Sequence, residues 1–177
     1  MTLASTRQPG KNDVSGATIE PMIGNRVRAA QITDTPSLAV LMTEVYGEAG
    51  FALNYDAAQL TFERLIRAPQ LGAIWLLESD SMLAGFIVLT LAYAMEYGGQ
   101  RGFVDDFFVR PAFRKRGLGA AGIAAVKAHC LTNGVRALFV QTGSSNDVAQ
   151  RVYRRAGFED TGHALLVMPL SKPLHLF

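Results

Sequence analysis

The sequence predicts a single α/β domain with a mixed, largely antiparallel central sheet and helices on both faces. Three observations carry that prediction. In the first half two apolar runs, 72–79 and 82–95, meet at the two-residue corner Asp80-Ser81, the pattern of an antiparallel hairpin. In the second half strand-like and helix-like stretches follow one another to residue 170, which calls for right-handed crossovers and parallel pairing. Between residues 26 and 171 there is no linker, repeat or low-complexity block, and 177 residues, 49% hydrophobic and 18% charged, suffice for one core and exclude global disorder.

Residues 1–25 are rich in Ser, Thr, Gly, Pro and Asn and lack an apolar period, so they read as a flexible tail. They show neither the apolar core of a secretory signal nor the acid-poor character of a transit peptide. The domain spans 26–171. A short strand, VRAAQI, leads into Thr33-Asp34-Thr35-Pro36, a capping oxygen before a proline, and predicts a helix to about Glu48. Asp56 with Gln59 repeats the start signal for a second helix, which Pro69 stops. The hairpin GAIWLLES and MLAGFIVLTLAYAM follows and Gly98-Gly99 closes it. GFVDDFFV, 102–109, is a further strand halted by Pro111, and 117–133 is helical until Gly134. VRALFVQT is a strand, NDVAQRVYRRA a helix ended by Gly157, ALLVMPL the last strand, and 172–177 a short tail.

The longest charge-free stretch, Met82 to Met95, is shorter than the roughly 20 apolar residues a bilayer demands, so no transmembrane helix is expected. A lone Cys130 excludes internal disulfides and cysteine-rich zinc sites, and the expected compartment is the cytoplasm. Cys130 and Trp75 read as core. His129, His163 and His175 have no ligand spacing, so no metal is expected. The net charge of +2 conceals an asymmetry: residues 110–155 hold nine bases and one acid, whereas 26–106 hold five bases and ten acids. A basic segment that concentrated suggests a polyanionic partner. Nucleic acid is not that partner, because only Phe113 interleaves an aromatic with the bases.

The stretch Val109-Arg110-Pro111-Ala112-Phe113-Arg114-Lys115-Arg116-Gly117-Leu118-Gly119 is a strand end, a basic loop and two glycines opening a helix. Glycines admit a ligand close to the backbone, and the unpaired amides of a first helical turn favour an anion. Gly117-x-Gly119-x-x-Gly122 also matches a dinucleotide fingerprint, but seven residues separate strand from glycine and the next strand ends in Gln141-Thr142 without the ribose-reading acid. Asp105 and Asp106 lie in an otherwise apolar strand, and regular alternation sends them to opposite faces. Pairing with a neighbour such as Arg101 is the alternative to a cleft. Ala149, Tyr153 and Gly157 share one side of the last helix, and Tyr153 has the small Ala149 and Ala156 about a turn to either side, so a ligand could reach its phenol; core packing is the alternative.

Arg114-x-x-Gly117-x-Gly119, followed by Asn146-x-x-Ala149-x-x-x-Tyr153-x-x-x-Gly157-Phe158, resembles the acetyl-CoA site of the GNAT superfamily of N-acetyltransferases. Val104-Asp105-Asp106-Phe107-Phe108-Val109 is similar to the strand of its diamine (spermidine/spermine) branch, although an aspartate stands where that branch commonly has a glutamate. The resemblance implies an enzyme that takes acetyl-CoA as co-substrate and a small-molecule amine as acceptor. It implies that the amides of Lys115, Arg116, Gly117, Leu118, Gly119 and Ala120 hold the pyrophosphate, with Arg114 beside them. Phe107, Phe108 and Val109 would pair with the pantetheine, the Val109 amide polarising the thioester, and Asn146 would contact the cofactor. Asp105, or a water it orients, would accept the amine proton and Tyr153 would protonate the leaving thiolate. Asp106, Glu96 or a water chain stay open as the base. A non-catalytic acyl-CoA-binding module is the alternative function. The acceptor and the oligomeric state, a homodimer among its options, are not legible.

Overall fold

Asp80 and Ser81 reverse the chain with both residues at positive φ, 52° and 63°, the geometry that matches the twist of a two-residue hairpin. In the computed structural model, which describes residues 24–170, this corner joins β2 (Gly72–Ser79) to β3 (Met82–Ala94). β1 (Asn25–Ala29) pairs antiparallel with β2, and β4 (Gly99–Val109) pairs antiparallel with β3. Only β5 (Ala137–Val140) is parallel to its neighbour, so the order is β1-β2-β3-β4-β5. Helix α1 (Thr35–Glu48) follows a 3-10 turn at Ile32–Asp34, and α2 is Tyr55–Arg67. Its cap is Asn54, whose side chain accepts from the Ala57 amide, rather than Asp56. α3 is Leu118–Thr132 and α4 Asp147–Arg155.

Apolar residues on both faces of β2 and β3 force helices onto both sides of the sheet. Leu38, Leu41, Met42 and Phe62 of α1 and α2 close over Ile74, Leu76, Phe86, Val88 and Phe108. Ile123, Val126 and Cys130 of α3, with Tyr153 of α4, close over Trp75, Ile87, Leu89 and Val104. The expected fold class therefore holds. One expected strand does not: 164–170 has no regular secondary structure, is exposed and is unpaired with any described strand. The expected flexible tail at 1–25 and the tail at 172–177 fall almost wholly outside the described residues. None of the described helices is long and apolar enough to cross a membrane.

Candidate active site

Val104 and Phe108 are four residues apart, an even spacing that should place both on one face, yet Val104 packs under α3 and Phe108 under α1 and α2. A bulge explains this. The β3–β4 register runs Ile87 to Phe107 and then Leu89 to Val104, so Val88 alone opposes both Asp105 and Asp106. The extra residue breaks the alternation predicted from sequence, and both carboxylates line the same cleft of about 280 Å³, together with Met42, Phe62, Arg64 and Thr90. Asp106 is the deeper of the two, and burial followed by the charge of Asp105 pushes it from 3.8 up to about 6. Burial raises Asp105 as well. Tyr46 of α1 feels the pair: its phenol is pushed up by burial and then by Asp106 and Asp105. Arg101, considered above as the partner of Asp105, instead stacks its guanidinium over Phe139 at 5.1 Å.

The same stretch of β4 has an open edge. β5 pairs β4 only from Arg101 to Val104, so nothing in the described sheet flanks Asp105–Val109 on that side. Arg110 donates to the Ala84 carbonyl at 2.8 Å, which makes Gly85–Val109 and Ile87–Phe107 the non-bonded pairs of the ladder. The amides and carbonyls of Phe107 and Val109 therefore point away from β3 into the gap. Arg114 Nε occupies the Val109 carbonyl at 2.7 Å and leaves the Val109 amide free. Phe108 faces the other way: its backbone bonds β3 and its ring lies in the core beneath α1 and α2.

Beyond the strand, Lys115 at φ 63° and Gly117 at φ 83° bend the loop so that α3 begins on a glycine with no side-chain cap. The first intrahelical bond there is Ala121 N to Gly117 O at 3.0 Å, so the amides of Leu118, Gly119 and Ala120 end the helix without a backbone partner. Leu118 is buried and anchors that turn. A Cβ on Gly122 would lie 3.2 Å from Leu77, which explains this third glycine by helix–sheet packing. The bases of the loop serve partly as braces. Arg114 binds the Glu48 carboxylate at 2.9 and 3.0 Å, Arg110 binds Glu44, Arg116 lies 3.6 Å from Asp80, and Asn25 donates to the Arg116 carbonyl. Glu44, Glu48 and Asn25 were not singled out from sequence, because nothing local marks a partner that lies 66 or 91 residues away.

Tyr153 is buried, its ring 6.4 Å from Phe107 and 5.6 Å from Phe158. Core packing thus holds for the ring. No buried side-chain oxygen among the described residues lacks a partner, and the Tyr153 hydroxyl makes no hydrogen bond to them, so the oxygen keeps an opening to solvent. Burial pushes its phenol up to about 12. Asn146 caps α4 by accepting from the Ala149 amide at 3.1 Å, which occupies its carbonyl and leaves its amide group for a ligand. A groove of about 230 Å³ between α3 and α4 continues from Ala120 past Ala124, Val152 and Ala156 to Lys127 and Arg155. These two bases escaped the sequence reading because neither sits in a motif. His129 packs edge-on against Trp75, and the described residues contain no cluster of metal ligands.

The chain matches the Acetyltransferase (GNAT) family over residues 37–158. It is 29% identical over 109 residues, 60% of this chain and 74% of that protein, to an aminoglycoside N(6')-acetyltransferase type 1 of Salmonella typhimurium. An integron cassette protein from the mobile metagenome of Cole Harbour Salt Marsh shares 53% identity and a TM-score of 0.78, over 84% of this chain and 92% of that one. AAC(6')-Iy in complex with a bisubstrate analog, CoA-S-monomethyl-acetylneamine, shares the fold at 23% identity and a TM-score of 0.71, over 83% and 99% of the two chains.

Proposed function

The chain belongs to the GNAT acetyltransferase family and is an acetyl-CoA-dependent N-acetyltransferase; from that premise we propose that its acceptor is a primary amine on a small, oxygen-rich molecule of the amino-sugar kind, acetylated by direct attack in a ternary complex. The observation that carries this reading is the bulge. It gives one five-residue stretch of β4 an acidic cleft on one side and free backbone groups on its edge, so an amine and a thioester can meet there. Two carboxylates suit an acceptor with more than one amine. Arg64 lines the same cleft and offers five donors, which favour hydroxyl and ether oxygens over a bare alkyl polyamine. The name of the Salmonella relative agrees with that chemistry.

The residues fit acetyl-CoA. Open amides at the start of α3 suit a pyrophosphate, the small side chains of Gly119, Ala120 and Ala124 leave room along α3, and Lys127 and Arg155 suit a ribose phosphate at the groove's far end. When bound, acetyl-CoA supplies a thioester carbonyl as the electrophile. The Val109 amide is then the donor to the oxygen on which charge develops. Asp105 and Asp106 first pair with the incoming ammonium, and Asp106, held at about 6, is ionised at neutral pH yet a stronger base than an ordinary carboxylate; it takes the amine proton. Tyr153 stays protonated across the physiological range. Full transfer from a phenol at about 12 to an alkyl thiolate whose acid titrates near ~8.5 is uphill, so its part is a hydrogen bond to the departing sulfur.

Thiol release measured across aminoglycosides, alkyl polyamines, amino acids and peptide N-termini tests the proposal. Turnover is expected with aminoglycosides first. Turnover confined to peptide amines would overturn the acceptor, and thermal stabilisation by acetyl-CoA with no turnover on any amine would make the chain a binding module.

A further inference from the structure

We propose that Asn25 is a positioning residue for the cofactor: its side chain holds the Arg116–Gly117 peptide in the orientation that presents the Gly117 amide to the pyrophosphate. This rests on the reading above that the open amides before and at the start of α3 take that group. Asn25 Nδ2 donates to the Arg116 carbonyl at 2.7 Å, from 91 residues away along the chain. In a trans peptide the carbonyl and the following N–H share a plane and point opposite ways, and the described residues contain no cis bond. Fixing the Arg116 carbonyl toward β1 therefore aims the Gly117 N–H away from β1. β1 and β5 are opposite edges of the sheet, so that direction is the side of the gap beside β4. No described residue accepts from the amides of Lys115, Arg116, Gly117, Leu118, Gly119 or Ala120, and a run of such amides through the positive φ of Lys115 is a concavity for an anion.

The glycine makes such a clamp necessary. Reversing the Arg116–Gly117 peptide changes chiefly ψ of Arg116 and φ of Gly117, and Gly117, at φ 83°, adopts either sign of φ without a Cβ penalty. The freedom that lets the loop turn thus lets the peptide flip, and a flipped carbonyl would set its negative end against a pyrophosphate oxygen. Asn25 is placed to decide between the two states. It is the first residue of β1 and stands opposite the buried Ser79 in the β1–β2 register. The Asp80 amide donates to the Gly24 carbonyl at 2.7 Å, and a Cβ on Gly24 would collide with the Asp80 carboxylate, so the start of β1 and the hairpin corner fit closely. The Arg116 side chain is turned the same way: its guanidinium lies 3.6 Å from Asp80 and 5.4 Å from the centre of the Phe113 ring. Side chain and carbonyl of Arg116 are both held on the β1 side, which leaves the next amide for an anion. Asn25 itself lines neither the cleft nor the groove and acts through that peptide.

Calorimetric titration of the full chain with CoA tests this. Asn25→Ala should weaken binding about 10-fold, the scale of one hydrogen bond to a charged group. Asn25→Asp keeps the shape but sets an acceptor against the Arg116 carbonyl and should weaken binding further, whereas Asn25→Gln keeps the donor on a longer arm and should recover part of the loss. Thermal shifts with two fragments, each at a concentration that stabilises the parent, separate positioning from general loosening. Inorganic pyrophosphate should lose its effect in Asn25→Ala, while pantetheine, which lacks the pyrophosphate, should keep its own. CoA affinity in Asn25→Ala equal to the parent's, or equal losses for both fragments, would overturn the role of Asn25. Gly119→Ala distinguishes that failure from failure of the site reading. If Gly119→Ala alone binds CoA more weakly, the site stands and Asn25 merely joins β1 to the loop; if both variants bind at full strength, the pyrophosphate lies elsewhere and both readings fall.

Discussion

Asp106→Asn separates the stability of the cleft from its chemistry. Burial and Asp105 raise Asp106 from 3.8 to about 6, so the folded chain holds this proton more tightly than the unfolded chain does. Stability contributed by the protonated form is full below about pH 4, falls as pH rises through the folded value near 6, and stays low above it. A shift of about two units at 1.36 kcal/mol each is about 3 kcal/mol. The cleft is open and Asp106 only partly buried, so solvent screening leaves about 1–2 kcal/mol. The Asn variant should therefore be more stable than the parent by about that amount at pH 7.5 and no more stable at pH 4. For a chain of this length that is a rise in Tm of about 2–8 °C at the higher pH, read by thermal scans of both proteins from pH 4 to 8. The same variant should lose the rising limb of kcat/KM near pH 6 and about 100-fold or more of its rate above it. A stability change equal at all pH values would show that Asp106 is not the buried titrating group. An intact rising limb would move the base to Asp105, Glu96 or water.

Tyr153→Phe removes one hydrogen bond to a developing charge and should lower kcat about 10- to 100-fold with acetyl-CoA affinity unchanged; an unaltered kcat in rapid-mixing assays would end the donor role. Gly119 has an ordinary φ, and a Cβ there would stand 3.6 Å from Phe107 and 3.8 Å from Val152, which is normal contact. Gly119→Ala should therefore melt no lower than the parent, helped by up to ~1 kcal/mol of helix propensity, yet bind acetyl-CoA more weakly because its methyl enters the gap at the helix start. Calorimetric titration with full affinity in this variant would place the pyrophosphate elsewhere. Lys127→Ala and Arg155→Ala should each raise the KM for acetyl-CoA about 2- to 5-fold, the scale of an exposed ion pair. Neither should affect KM for the dephosphorylated cofactor, and equal losses for both cofactors would detach these bases from the ribose phosphate.

Most of the fold was legible because its signals are local. A two-residue polar corner at Asp80-Ser81, a glycine at 134 with φ 69° and an asparagine at 146 that caps α4 each act within a few residues of where they stand. The misreadings come from choices made across the chain. Asp56 and Asn54 offer competing caps two residues apart, and the longer helix with the Asn54 cap prevails. The apolar run 164–170 has the composition of a strand yet pairs with no described strand, because apolar character marks a segment that seeks cover and not the edge that supplies it. The bulge at Asp105-Asp106 leaves no mark on periodicity over so short a span; it shows only when Val104 and Phe108 are seen packing on opposite faces. Its consequence was the larger error of the site reading, since it turns two carboxylates assigned to opposite faces into one pair.

The charge asymmetry shows why composition locates a site better than it explains one. Three of the nine bases in 110–155, Arg110, Arg114 and Arg116, face Glu44, Glu48 and Asp80 of the acidic half. Those contacts fasten the loop between β4 and α3 to α1 and to the hairpin corner, and Arg114 in addition fixes the Val109 carbonyl. The acids so engaged do not help bind an amine, and the bases so engaged act on an anion mainly by long-range attraction. In the proposed site, what remains for direct contact is small and specific: uncapped amides at Leu118 to Ala120, Lys127 and Arg155 along the groove, and Asp105 with Asp106 in the cleft. Opposite charges segregated along the sequence are thus spent partly on bracing this loop against α1 and the hairpin corner, and in the proposed mechanism that bracing is what would let a backbone amide, rather than a mobile side chain, serve as the oxyanion donor.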